Sequence, residues 1–90
     1  MPLSLYHLPL CPYCVKVRRA AEQFGVPLEL IDVSQDAGAR ARLLAERGRA
    51  TVPVLRIDGP GQPAGGELLG ESSAIVAYLQ ARVAEQSQVA

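Results

Sequence analysis

Both cysteines of the chain fall in one short segment, Cys11-Pro12-Tyr13-Cys14, with two residues between them. Thiols at that spacing can ligate a metal, form a structural bridge, or exchange electrons as a reacting pair. A structural zinc site takes four ligands. The chain offers these two thiols and a single histidine, His7, so no metal is expected within one copy. Two copies pooling thiolates around an iron-sulfur cluster is the remaining metal reading, and Pro12 and Tyr13 make the turn stiff and bulky for it. The opening MPLSLYHLPL has no basic leader, and no apolar run of about 18 residues occurs anywhere, so neither a signal peptide nor a transmembrane helix is expected. The expected compartment is then the cytoplasm, where structural bridges are rare. A reacting pair fits best.

Cys11 stands where an apolar run yields to a helical pattern. After Pro12 the apolar residues Cys14, Val17, Ala21 and Phe24 recur at spacings of three and four, with Lys16, Arg18, Arg19, Glu22 and Gln23 between them. That predicts an amphipathic helix closed by Gly25. The first turn of a helix carries unpaired N–H groups and the positive end of the macrodipole. A thiolate is stabilised there: free cysteine titrates at about 8.5, and Cys-x-x-Cys thiols at helix starts fall to ~3.5–7.5. Pro12 suits the same turn because it has no N–H to leave unpaired. Cys14 shares the apolar face with Val17 and Ala21, whereas Cys11 sits at the exposed tip. Cys11 is therefore expected to attack and Cys14 to resolve. Tyr13 flanks the entrance, and Lys16, Arg18 and Arg19 add positive potential that salt screens. Arg18 and Arg19 are read as a solvated helix face, and His7 as a packing or surface histidine outside the site.

The elements that must hold this pair follow from periodicity. Leu3, Leu5, Tyr6 and His7 predict a short buried strand that stops at Pro9. PLELIDV, residues 27–33, predicts a second strand. Ser34 is placed as the cap of a helix through QDAGARARLLAERG, with Asp36 near its positive end, Arg47 near its negative end and Gly48 as its stop. TVPVLRID predicts a third strand, in which Pro53 must take the first position or an edge because it cannot donate to a sheet ladder. GPGQPAGG reads as turn material and ELL as a short fourth strand. A last helix is predicted from Glu71 to about Val83, with Ile75, Val76, Leu79 and Val83 on one side, followed by a frayed polar tail.

The fold class is α/β in the order β-α-β-α-β-β-α, a four-stranded mixed sheet flanked by three helices. The first two strands are parallel through a right-handed crossover, and the last two are antiparallel. Residues 1–85 form the one domain and 86–90 the tail. A chain of 90 residues with 49% hydrophobic and 20% charged residues can build this core without a metal or a bridge. Its formal net charge of zero leaves no footprint for nucleic acid or an anionic membrane, and a small or neutral partner fits better.

Three segments taken together, CPYC ahead of a basic amphipathic helix, then TVP before a strand, then GGELLGESSAIVAYL, resemble the glutaredoxin family of the thioredoxin-fold superfamily over nearly the whole chain. ESSAIVAYL is closer to the amino-terminal glutathione-binding domain of glutathione transferases, where a Glu-Ser pair opens the last helix. The resemblance implies a thioredoxin-like fold and a glutathione-dependent thiol-disulfide oxidoreductase. It would reduce glutathione mixed disulfides and protein disulfides through the Cys11 thiolate, with Cys14 or a second glutathione resolving the adduct. The resemblance also implies that Pro53 is cis and faces Cys11, that Val52 offers its backbone to an extended substrate, and that Thr51 and Tyr13 shape the same binding edge. The N–H groups of Glu71 and Ser72 and the Ser72 hydroxyl would hold the γ-glutamyl carboxylate of glutathione, while the Glu71 carboxylate meets its ammonium. Read from the residues alone, Ser72 is a helix cap and Glu71 a first-turn acid.

Glutathione would be the co-substrate, with no cofactor or metal. The implied partners are glutathione and disulfide-containing or glutathionylated proteins, met by a monomer that uses neither nucleic acid nor membrane. Two departures from glutaredoxins stand out. The Lys that many carry three residues before the first cysteine is Leu8 here, so a cation for the glycine-end carboxylate must come from elsewhere, with Arg49 and Arg40 as candidates. The fourth-strand region carries Glu71-Ser72 in place of the acidic pair common in that family. Other readings stay open: a redoxin served by thioredoxin reductase, or a non-catalytic glutathione-binding or iron-sulfur carrier domain. Transferase activity is not expected, because such enzymes add a helical domain bearing the acceptor pocket.

Overall fold

The computed structural model describes residues 3–58 and 66–88, with the backbone alone over 84–88. Seven elements follow in the predicted order: β1 (Leu3–His7), α1 (Pro12–Phe24), β2 (Glu29–Asp32), α2 (Ala37–Arg47), β3 (Val54–Ile57), β4 (Glu67–Gly70) and α3 (Ser72–Gln88). The strands form one sheet in the order β2-β1-β3-β4. β1 pairs parallel with β2 and antiparallel with β3, and β3 pairs antiparallel with β4.

Alternation along the two central strands decides how the layers close. Side chains along a strand point alternately to its two faces. Leu3, Leu5, Leu55 and Ile57 pack with Val17 and Ala21 of α1 and Ile75 and Leu79 of α3. Tyr6 and Val54 pack on the other face with Val33 and with Leu43 of α2. Helices on both faces leave all five residues of β1 buried, His7 included, the condition of a strand shut in from both sides. α2 contributes one fully buried residue, Leu43, so this helix depends on a single anchor. Beside it, Arg56 seals the same face. It donates to Asp58 at 3.0 Å, to the Tyr6 hydroxyl at 3.1 Å and to the buried Ser4 hydroxyl at 3.2 Å.

Local chemistry sets the element ends. Gly25, at a left-handed φ of 71°, donates to the Glu22 carbonyl while Val26 donates to that of Ala21, the paired closure that stops α1. α2 is capped by Asp36, whose Oδ1 accepts from the Ala39 N–H at 3.0 Å. The placement of Ser34 as that cap is thus corrected. Its N–H and hydroxyl both donate to the Asp32 carboxylate, closing a turn before the helix begins. β2 is shorter than residues 27–33, and β3 begins after Pro53, which leaves the ladder without a missing donor. α3 runs on through Gln88 instead of ending near Val83, since the polar segment that follows Val83 holds neither Gly nor Pro before the helix stops. Residues 59–65 of the turn-rich segment lie outside the described residues.

Arg18 is a further correction. Its Nη2 donates to the Pro9 carbonyl at 2.9 Å, and its Nε is buried, so α1 is tied to the loop that carries Cys11.

Two measurements check this packing. Leu43→Ala should cost about 2–5 kcal/mol by urea unfolding, the range for emptying a buried leucine site. The second concerns His7, whose pKa is held below the ordinary value by burial first and by the Arg18 charge next, with Asp32 opposing. A lowered folded pKa means that the unfolded chain takes up the proton first. Stability is therefore complete above the ordinary histidine pKa of about 6.5 and is lost as pH falls from there toward the folded value. Since the chain has no other histidine, the urea midpoint should fall between about pH 7 and about pH 5, and fall less in His7→Gln. Equal slopes for the two proteins would exclude His7 as the source.

Candidate functional site at the start of the first helix

β1 leads directly into the site. Beyond His7 the chain turns, with the Cys11 N–H donating to the Leu8 carbonyl at 3.1 Å, and the Cys11 carbonyl then accepts the first helical bond from Val15 at 2.9 Å. Cys11 is thus the N-cap of α1, with extended φ and ψ of −73° and 122°, and Pro12 follows as the first helical residue. Both thiols are free. Cys11 is partly exposed, while Cys14 is fully buried.

This placement sets the two sulfurs apart. For Cys11, burial pushes the thiol pKa up, but the Cys14 N–H, the Cys14 thiol and the Tyr13 N–H together outweigh it and hold the value below that of an ordinary thiol. The neutral sulfur closes no capping hydrogen bond, as expected of a weak acceptor; the anion is the form that these donors stabilise. None of the basic residues of α1 figures among these influences. For Cys14, burial pushes the pKa up to about 11. The hydrogen bond and the charge of Cys11 add to that rise, against the opposing Leu8 backbone and Arg18 charge.

A cleft of about 320 Å³ opens beside this turn, and Tyr13, 63% exposed, stands on its wall. Thr51, Val52, Pro53, Glu71 and Ser72 line it as well. The Val52–Pro53 peptide bond is cis. All six of the residues assigned to glutathione by resemblance therefore share one cleft. Cys11 does not line it; that residue lies on the wall of a separate cavity. Where β4 passes into α3, Glu71 holds a left-handed φ of 67°, and its carbonyl accepts from the Ile75 N–H at 3.0 Å. Glu71 thus takes the cap position, and Ser72 is the first helical residue. A non-glycine residue in that region costs ~1–3 kcal/mol, and such residues cluster at ligand sites.

Two arginines complete the wall, Arg47 and Arg49. Arg49 was a candidate cation from the sequence; Arg40, the other, does not reach the cleft. Arg47 carries only the mark of a helix-end charge in the sequence. In the fold its guanidinium packs so closely on the backbone of Gly70 that a Cβ there would overlap it, and its buried Nε has no hydrogen-bond partner among the described residues. Among those residues, no group of three His, Cys, Asp or Glu side chains is arranged to hold a metal. No helix among the described residues is long and apolar enough to cross a membrane.

Comparison with known proteins agrees with this geometry. Residues 5–87 match the family model described as the glutathione S-transferase N-terminal domain. Glutaredoxin 3 of Escherichia coli strain K12 is 29% identical over 56 residues, which cover 62% of this chain and 68% of that protein. The thioredoxin-like protein BC3987 superposes with a TM-score of 0.65 at 29% identity, over 86% of this chain and 97% of its own. A glutathione transferase homologue from Sulfitobacter, solved with bound glutathione, superposes with a TM-score of 0.70 at 24% identity, over 93% of this chain. The chain spans 38% of that transferase homologue's length. With its β-α-β-α-β-β-α sheet sandwich and a family match over nearly all its residues, the chain belongs to the glutathione S-transferase N-terminal domain family, built on the thioredoxin-like fold.

Proposed function

We propose that this protein is a glutathione-dependent thiol-disulfide oxidoreductase in which the Cys11 thiolate attacks and Cys14 resolves. The observation that carries this reading is the placement of the two thiols, Cys11 partly exposed at the helix cap and Cys14 fully buried one turn inside, which lowers the pKa of the first and pushes that of the second up to about 11. A thiolate is the nucleophile in disulfide exchange, and it works best with a pKa near ambient pH. Family membership and the similarity to glutaredoxin 3 support glutathione as the reductant. The arginine cleft supports that choice over a redoxin that dispenses with glutathione.

In the mechanism, Cys11 attacks a disulfide sulfur and forms a mixed disulfide. Its negative charge is consumed in that bond, which removes the repulsion that helps keep Cys14 protonated. The buried thiol then ionises more readily when it must attack Cys11 and release the reduced product. A second glutathione thiolate can perform the same release from solvent. The glutathione carboxylates are assigned to the start of α3 at Glu71 and Ser72 and to Arg47 and Arg49, with the Val52 backbone beside the tripeptide and the Glu71 carboxylate meeting its ammonium. Arg47 and Arg49 take the place of the lysine absent at Leu8.

Alkylation of Cys11 by iodoacetamide, followed against pH, should show a midpoint below that of an ordinary thiol, while Cys14 stays unlabelled in the folded protein. Cys11→Ser should abolish reduction of a glutathionylated substrate. Cys14→Ser should retain it and lose part of the reduction of protein disulfides. Undiminished turnover by Cys11→Ser would overturn the assignment of the attacking sulfur.

Gly70→Ala tests the cation. A methyl group at that position displaces the Arg47 guanidinium, so KM for glutathione should rise about ten- to a hundredfold, the scale of one charge-assisted hydrogen bond. The rate of Cys11 alkylation should be unchanged. Arg47→Ala should reproduce the KM effect, and wild-type KM in both variants would remove Arg47 from the site.

A further inference from the structure

Cys14 poses a problem that its own helical turn does not solve. The thiol is fully buried, and in disulfide exchange it must still lose its proton before it can attack. Burial drives its pKa up to about 11, the Cys11 hydrogen bond and charge add to the rise, and the Leu8 N–H and the Arg18 charge oppose it. Once Cys11 is held in a mixed disulfide, its charge is gone. Of these influences, burial, the Leu8 N–H and the Arg18 charge remain.

The geometry joins the two opposing influences in one side chain. Arg18 follows Cys14 by four residues, one turn along the same side of α1. Its Nη2 donates to the Pro9 carbonyl at 2.9 Å, which moors the turn that carries the Leu8 N–H. Its Nε is buried with no hydrogen-bond partner among the described residues, and a buried donor of that kind calls for a reason beyond packing. The side chain also borders a groove of about 250 Å³ lined by Ala21, Val26, Leu28 and Leu30. A guanidinium set against this apolar wall is screened less by salt than the exposed Lys16 and Arg19 of the same helix.

His7 adds no competing charge. Strand alternation puts it on the face of β1 shared by Leu3 and Leu5, which pack against α1. Burial first and the Arg18 charge next hold its pKa down, with Asp32 opposing, so the imidazole is neutral at pH 7.

We propose that Arg18 is the positioning residue of the resolving step: its guanidinium, moored on the Pro9 carbonyl, holds the Leu8 turn against Cys14 and supplies the positive charge that the thiolate needs as it forms in a buried place. This rests on the oxidoreductase reading above and adds a residue to it. Cys14 gives its proton to solvent, and its thiolate attacks the Cys11 sulfur of the Cys11–glutathione disulfide. The Cys11–Cys14 bond forms as the mixed disulfide breaks, and glutathione leaves with the electron pair and takes up a proton. Release by a second glutathione does not use Cys14, so Arg18 governs the dithiol route alone.

The test follows the whole chain through that step. Reduced protein is mixed with excess glutathione disulfide and quenched in acid at intervals. Mass spectrometry then gives the first-order conversion of the Cys11–glutathione adduct into the Cys11–Cys14 disulfide across neutral and alkaline pH. Arg18→Gln should slow conversion at pH 7 about tenfold and move its pH profile up by about one pH unit, the scale of losing one nearby opposite charge. Arg18→Lys keeps the charge and should recover most of the rate. Arg19→Gln, at the exposed position next along α1, should match the wild type. If Arg18→Gln does not fold, Arg18→Met fills the same space without charge and should slow conversion at least as much. A wild-type rate and profile in the uncharged variant would overturn the proposal. So would Arg18→Lys as slow as Arg18→Gln with the profile unmoved, which would make Arg18 a structural tie. A wild-type adduct that never converts would instead overturn the resolving role of Cys14, whatever stands at position 18.

Discussion

The N–H groups that open α1 have no helical partners, and in this protein they are turned toward a sulfur. Everything else in the site depends on that arrangement. It holds because the strand that delivers Cys11 has no freedom: β1 is the paired neighbour of both β2 and β3, and all five of its residues are buried. Its last residue, His7, accepts from the Val33 N–H at 3.1 Å, and Arg18 reaches back from α1 to the Pro9 carbonyl. The turn between strand and helix is therefore held from both ends. A cap sulfur fixed this way meets the helix's positive end, and its anion gains from preorganised dipoles that salt screens less than mobile surface charges.

The cleft beside it is an assembly of three distant segments: the end of α2, the stretch before β3, and the passage from β4 into α3. They converge because β3 lies between β1 and β4, so the entry to β3 and the exit of β4 sit at the same end of the sheet. Gly70 belongs to this convergence. It ends β4, and its missing side chain is the space that Arg47 occupies. Glu71, next in sequence, then turns through the left-handed region so that α3 starts toward the cleft. One glycine and one strained residue thus bring a cation and a helix start to the same place.

The placement of the cysteine pair was legible because local chemistry alone specifies it. Spacing, the proline at the first helical position and the apolar stripe of α1 require no knowledge of the rest of the chain, and Cys11 lies partly exposed at the helix cap with Cys14 buried on the apolar face, as expected. The order of elements was legible for the same reason, since alternation and helical periodicity are properties of single segments. Capping was less so: Ser34 and Asp36 are both good caps, and the choice fell to Asp36 because Ser34 was already bound to Asp32. Arg18 looked like a solvated charge because its partner is a backbone carbonyl, and any residue has one. The Arg56 network with Ser4, Tyr6 and Asp58 left no trace in periodicity, because its members are matched only across strands.

What the sequence determined by itself is the cysteine pair at the start of α1, the helix that carries it and the succession of strands and helices, all set by contacts within a few residues. Tertiary structure alone decided which arginines reach the cleft, which glycine makes room for Arg47, and that Cys11 lines a cavity distinct from the cationic one. Those facts depend on distances between segments tens of residues apart. Pairing in the sheet fixes such distances, and the periodicity of one segment holds no record of them.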